Sequence, residues 1–304
     1  VNISVITPTY NRAHCLPRLF DSLCRQHADF EWLVVDDGST DNTQAVVDGF
    51  RRRAPFPMRY IRLPANAGKH VAHNRGVREA TGELAAIVDS DDALLDDGLR
   101  TVWEAWTAIP PARRQEFCGV SGRCMTADGP LGVPFDEDEP YRDATYLDAS
   151  YRQKILEERL RFDRLELLQR YPFPEPPGQR FVAESPVWSS VSGDLLVRYL
   201  DATVRWYSLD GADRLSARPF GELAEGRRQV YMVRLNRDLK YWPDARTLFV
   251  KYSAQYVRCS LHLRIGPKGQ LRDLVGAGAK LLALAGMLAG VALYLADKAR
   301  SMRP

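Results

Sequence analysis

Residues 82 to 94 read GELAAIVDSDDAL. The run Leu84 to Val88 is apolar and partly β-branched, the composition of a buried strand. It stops at Asp89-Ser90-Asp91-Asp92, three carboxylates within four positions. Like charges so close are destabilising unless something positive stands among them. A divalent cation answers that requirement, and an acidic surface loop is the plain alternative. No histidine or cysteine accompanies the aspartates, so the ion expected is hard, Mg²⁺ or Mn²⁺, bound through oxygen with positions left for phosphate or water.

Working outward, strand and helix patterns alternate. ISVITP (3–8), EWLVVDD (31–37), MRYIRL (58–63) and ELAAIVD (83–89) read as strands. Between them Leu16 to Gln26, Thr43 to Arg52 and Lys69 to Ala80 read as helices, with Asp41 a cap for the second. The order β-α-β-α-β-α-β implies a largely parallel sheet with helices on both faces. Ligands of such sheets sit beyond the carboxyl ends of the strands. TPTYNR (7–12), VVDDGSTD (34–41) and IVDSDD (87–92) all fall at such ends, so they are candidates for one site. Taken alone, Asp-Asp-Gly-Ser after a strand is often only a polar turn.

Composition narrows the class. The chain has 304 residues, 45% hydrophobic and 27% charged, with a net charge of +3, which is globular and lacks the basic field of a nucleic-acid protein. Five scattered cysteines, without CxxC spacing, argue against structural zinc and a disulfide framework and suit a reducing cytoplasm. VNISVITPTYNR runs directly into a strand, so no secretory leader is expected.

The three strand-end motifs in this order, ISVITPTYNR, EWLVVDDGSTDNT and NAGKHVAHNRGVREATGELAAIVDSDD, resemble the amino-terminal half of glycosyltransferase family 2. The resemblance is strong over residues 1–100, moderate from 160 to 262 and weak elsewhere. It implies an α/β GT-A fold, a three-layer sandwich with a mostly parallel central sheet, plus a C-terminal helical extension. The divisions it suggests are 1–115 for the nucleotide-sugar half, 116–222 for the acceptor half and 223–304 for the C-terminal helices. It implies that Thr7, Pro8, Thr9, Tyr10, Asp36 and Asp37 hold the nucleotide, with Arg12, Lys69, Asn74, Asp89 and Ser90 alongside. The family's DXD motif maps onto Asp89 and Asp91, whose metal would bridge to the diphosphate. Arg75, inside a helical stretch, reads instead as surface charge.

Transfer to a hydroxyl also needs a base. In YPFPEPPGQRFVAESPVW (171–188), Glu184 follows a strand-like RFVA and precedes Pro186, which suits the first turn of a helix. The family often has Glu-Asp here, with the second acid as base, and a subset has PES..W; this chain has Glu184-Ser185 and Trp188. The role therefore falls to Glu184, with helix capping or acceptor positioning as its plain alternative. Inversion at the anomeric carbon, a nucleoside diphosphate donor, a hexosyl group, a glycan or lipid-linked saccharide acceptor and a role in envelope polysaccharide synthesis are what the resemblance implies. Arg214, in DRLS, is a further diphosphate contact by the same route. A nucleotide-sugar-binding scaffold without transfer is the alternative, motivated by Ser185. A receiver-like signalling domain fits poorly, because the chain continues far beyond one.

The rest is less specific. Residues 128–150 are rich in Gly, Pro and acids and read as an exposed loop or flap. Beyond 224 the pattern turns helical, over 225–242 and 244–264. Leu281 to Ala296 is uncharged, short of the ~18 apolar residues of a confident span. Leu274, Leu281, Leu288 and Leu295 recur every seventh residue, and Gly286 and Gly290 form GxxxG. A packed or dimer-forming helix, an in-plane helix at the cytoplasmic face of a membrane and a single span are the competing readings.

Overall fold

The computed structural model describes residues 1–208 and 220–301. Residues of one hydrophobic run alternate in direction along a strand, and here both directions are covered. Ile3 and Val5 of β1 (Ile3–Thr9), with Trp32 and Val34 of β2 (Phe30–Asp36), enter one apolar cluster. Ile6, Leu33 and Val35 enter the other. Helices α1 (Leu16–Leu23), α2 (Thr43–Arg51) and α4 (Gly98–Thr107) supply Leu19, Phe20, Phe50 and Trp106 to the first cluster. Helix α3 (Lys69–Glu79) supplies Ala72 and Val77 to the second. This double coverage is why the strands read as continuous apolar runs.

β3 (Met58–Arg62), β2, β1 and β4 (Leu84–Ile87) are parallel, in that order, and form the first half of a ten-stranded sheet. The sheet continues through β9 (Arg159–Arg164), β6 (Phe117–Thr126), β10 (Leu196–Trp206) and the short β5 (Ala93–Leu94). β6 and β10 pair parallel, while β9 enters antiparallel to both β4 and β6. The architecture is therefore mixed α/β around a large central sheet, followed by C-terminal helices.

The 128–150 stretch is more ordered than its composition suggests. β7 (Gly129–Pro130) pairs with β6, β8 (Tyr141–Thr145) pairs with β10, and α5 (Tyr146–Tyr151) follows. Asp201 fixes the connecting loop by accepting the Phe135 backbone N–H at 2.9 Å, and the Arg142 guanidinium lies 4.5 Å above the Phe135 ring. Sequence composition misses this because the anchoring partners come from distant strands.

The chain falls into two compact units, residues 1–149, 155–182 and 187–211 in one, and 150–154, 183–186 and 212–304 in the other. In the second, α8 (Ala224–Arg237) and α9 (Arg246–His262) precede the short α10 (Pro267–Arg272), then α11 (Ala277–Ala285) and α12 (Met287–Ser301). Arg228 of α8 ties this unit together, reaching Ser260, the Tyr256 hydroxyl and Asp273 within 2.9 Å.

Candidate active site

The turns after β1, β2 and β4 are joined by side-chain hydrogen bonds. Asn11 takes a left-handed backbone, φ 53°, which asparagine tolerates, and its Oδ1 accepts the Thr40 N–H at 2.7 Å. Its own N–H donates to Ser39 Oγ at 2.9 Å. Asp41 accepts the N–H groups of Ala13 and Thr43 at 3.1 and 3.0 Å; it stands one residue before Asn42, the cap position of α2, and staples the two turns.

Asp36 and Asp37 are 1% and 3% exposed, and all four of their carboxylate oxygens accept from the chain itself. Asp36 takes the Ser39 N–H at 2.7 Å and the Tyr60 hydroxyl, while Asp37 takes the N–H groups of Ala67 and Gly68 at 2.8 Å each. Burial pushes Asp37 up from the usual carboxylate range, and those two N–H groups offset only part of it. Gly38 completes the turn at φ +77°, where a Cβ would lie 2.7 Å from the Ala65 carbonyl carbon.

At the end of β4 the partners are different. Asp89 meets the Lys69 ammonium at 2.8 Å and Asp91 the Arg12 guanidinium at 2.9 Å. Arg18 donates to the Asp91 backbone carbonyl. Burial opposes the charge on Asp89, and Lys69, helped by Arg205 and Arg12, outweighs it, holding the carboxyl below its ordinary value. Asp92 faces inward, 3.2 Å from Arg205, and accepts the Ser208 N–H at 3.1 Å. Burial pushes Asp92 up to about 7 against the pull of Arg205.

Several expected contacts are placed elsewhere. Thr7 is fully buried and its hydroxyl accepts the Trp32 indole N–H at 2.9 Å, so its side chain is taken up by the core. Asn74 is likewise redirected: its amide donates to the Phe173 carbonyl and to Glu175, and its Oδ1 accepts the Phe173 N–H, all within 2.9 Å. It clamps the 173–175 segment onto α3, beside the edge-on contact of His73 with the Phe173 ring at 4.6 Å. Pro8 and Ser90 are buried, and Tyr10 is 41% exposed. Thr9, 4% exposed, has a hydroxyl without a hydrogen-bond partner, an atom a ligand would satisfy. Glu184 is exposed and immediately precedes α7 (Ser185–Ser192), but residues 179–183 carry no strand, so the junction is loop to helix. Arg214 lies outside the described residues.

Three participants escaped the sequence reading: Tyr60, Arg18 and Arg205. Arg205 left one signal, a cation inside an apolar strand; it is 4% exposed and also meets Glu158 at 2.7 Å.

Among the described residues, no three His, Cys, Asp or Glu side chains gather as a cation cage.

Residues 4–122 match the family model described as Glycosyl transferase family 2. The match covers less than half of the chain, the part that carries the parallel strands. An uncharacterised glycosyltransferase of Nostoc sp. is 39% identical over 107 residues, covering 35% of this chain and 33% of that protein. The GalNAc(5)-diNAcBac-PP-undecaprenol beta-1,3-glucosyltransferase of Campylobacter jejuni is 32% identical over 124 residues, covering 40% and 38%. The chain thus spans between a third and two fifths of the length of these relatives. Among solved structures, S. aureus TarS in complex with UDP-GlcNAc aligns over 98% of this chain and 91% of that one, with TM-score 0.61 and 20% identity. A mannosyltransferase from Pyrobaculum calidifontis in complex with GDP-Man and Mn²⁺ aligns over 98% and 82%, with TM-score 0.57 and 18% identity. At such identity the likeness is one of fold, the GT-A arrangement.

Proposed function

We propose that this family 2 domain is an inverting glycosyltransferase, moving a hexosyl group from a nucleoside diphosphate sugar to a glycan or lipid-linked saccharide. The observation that carries the reading is the pairing at the end of β4, where Asp89 and Asp91 are each neutralised by a side-chain cation, Lys69 and Arg12. Such pairs can exchange partners. On arrival of a diphosphate, Lys69 and Arg12 would meet its oxygens and leave two carboxylates that would hold a divalent ion. Bound there, Mg²⁺ or Mn²⁺ would supply positive charge where the departing diphosphate becomes more negative.

The nucleoside would rest on the stapled turns, with the Tyr10 face and hydroxyl and the Thr9 hydroxyl as contacts, and Asp36 and Asp37 as their frame. A UDP-sugar is the favoured donor, because the neighbour TarS is solved with UDP-GlcNAc. Glu184 would take the acceptor proton during attack, and displacement opposite the diphosphate inverts the anomeric carbon. Ser185, standing where the family often has a second acid, motivates one other reading, a nucleotide-sugar-binding protein without transfer.

Calorimetry with UDP-sugars, with and without Mn²⁺, tests the site: uptake that depends on the ion and falls in Asp91→Asn is expected, and no uptake under any condition would remove the proposal. Glu184→Gln separates the two readings. Donor binding unchanged with turnover reduced at least a hundredfold is expected of a base, whereas a wild-type protein that binds donor and transfers nothing would be the binding protein.

A further inference from the structure

The C-terminal helices present a surface unlike the rest of the molecule. Every exposed position from 281 to 296 is Leu or Ala: Leu281, Leu284, Ala285, Leu288, Ala289, Ala292, Leu295 and Ala296. Leu288 is 85% exposed, Leu281 65%, Leu295 58% and Leu284 50%. Single exposed leucines are ordinary, but a continuous stripe without one polar residue marks a surface that is covered in use.

The other flank of the same helices is occupied. Ala283, Gly286 and Gly290 are buried. A Cβ on Gly286 would stand 2.8 Å from the Ala254 nitrogen, and one on Gly290 2.7 Å from the Ala254 oxygen, so both glycines exist to let α11 and α12 lie on the backbone of α9. The GxxxG pattern is thereby spent inside the chain. Because α9 carries Arg246, Lys251 and Arg258, the assembly cannot enter a bilayer lengthwise. Among the described residues no single helix is long and apolar enough to cross a membrane; α11 and α12 reach that length and apolarity only together, with a bend of 51° between them.

Charge identifies what covers the stripe. Residues 246–301 hold nine Lys and Arg against two acids, in a chain whose net charge is only +3. Both acids are already matched, Asp273 by Arg228 at 2.6 Å and Asp297 by Arg258 and His262. Lys280 stands at the start of the stripe and Lys298 and Arg300 at its end, all exposed. A second copy on this face would bring like charges together. An anionic lipid surface takes the leucines among its acyl chains and the cations among its headgroups.

We infer that α11 and α12 form an interfacial patch that docks the protein, in the plane of the membrane, on an anionic lipid surface. The test is flotation of the full chain with vesicles of phosphatidylcholine alone and vesicles containing phosphatidylglycerol, alongside the fourfold variant Leu281→Gln, Leu284→Gln, Leu288→Gln and Leu295→Gln. These side chains are at least half exposed, so the variant should melt like the wild type. Binding to anionic vesicles that drops at least about tenfold in the leucine variant, and severalfold in Lys280→Gln with Lys298→Gln and Arg300→Gln, is expected. Three results would overturn the inference: no vesicle binding by the wild type, binding indifferent to the leucines, or a dimer that the leucine variant dissociates while neither protein floats. Donor binding should be the same in all variants, which keeps this result separate from the fate of the transferase reading.

Discussion

The acidic turns after β2 and β4 carry similar sequences, VVDDGS and IVDSDD, and the structure treats them oppositely. Asp37 is held by two backbone N–H groups, which belong to the fold and cannot leave. Asp89 and Asp91 are held by Lys69 and Arg12, whose heads lie at the end of flexible stems and can turn to another anion. The first turn is architecture. On the proposed reading, the second is where a ligand would enter by exchange of partners. The contrast teaches that a buried carboxylate is identified as a site by the mobility of what neutralises it more than by its own presence.

The largest expected effect lies on the β4 side. Asp91→Asn should lower turnover of a nucleotide sugar by roughly two to three orders of magnitude, the scale of removing one charge-stabilising group, with melting little changed. Asp37→Asn, assayed per folded molecule, should keep most of its activity; equal losses in the two variants would erase the distinction. Next comes Asp37→Ala, which strands two N–H groups under the 65–68 loop and should cost about 2 to 4 kcal/mol in urea unfolding. A loss below half a kcal/mol would mean the loop finds other acceptors.

Smaller again is Lys69→Gln, for which about a tenfold weaker donor affinity is expected, corresponding to about 1.4 kcal/mol. Affinity unchanged in calorimetry would place Lys69 outside the diphosphate's reach. The finest test is one of sign. Asp89 is held below its unfolded value, so its contribution is present above about pH 3.9 and fades as pH falls below that point. Asp37 is raised, so its contribution is complete below about pH 3.9 and is lost as pH rises through its folded value. Melts of Asp89→Asn and Asp37→Asn across mild acid should therefore diverge, the first losing and the second gaining relative to wild type as pH rises.

Much of the first hundred residues was legible because the relevant signals are local. Alternating apolar runs, turn residues and strand-end acids follow from neighbours in sequence, and β1 to β4 with α1 to α3 appear within three residues of the expected bounds. The site was legible to the same depth, in that the Asp89 turn and the Asp36 turn do stand at carboxyl ends of parallel strands. What was not legible was pairing across distance. Thr7 looks like any loop-side hydroxyl until Trp32 is seen donating to it, and Asn74 looks like a ligand until Phe173, 99 residues later, closes on it. Residues 141–145 lacked a strand pattern because their partner is β10.

The sequence by itself determined the parallel half of the sheet and the two clusters of acids, because strand period and charge spacing are properties of adjacent residues. The tertiary structure decided which acids are fastened by backbone and which by movable cations, and that the glycines of the C-terminal helices face α9 while their leucines face outward. Those outcomes depend on which surfaces meet when the chain closes, and no local pattern encodes the identity of a partner tens of residues away.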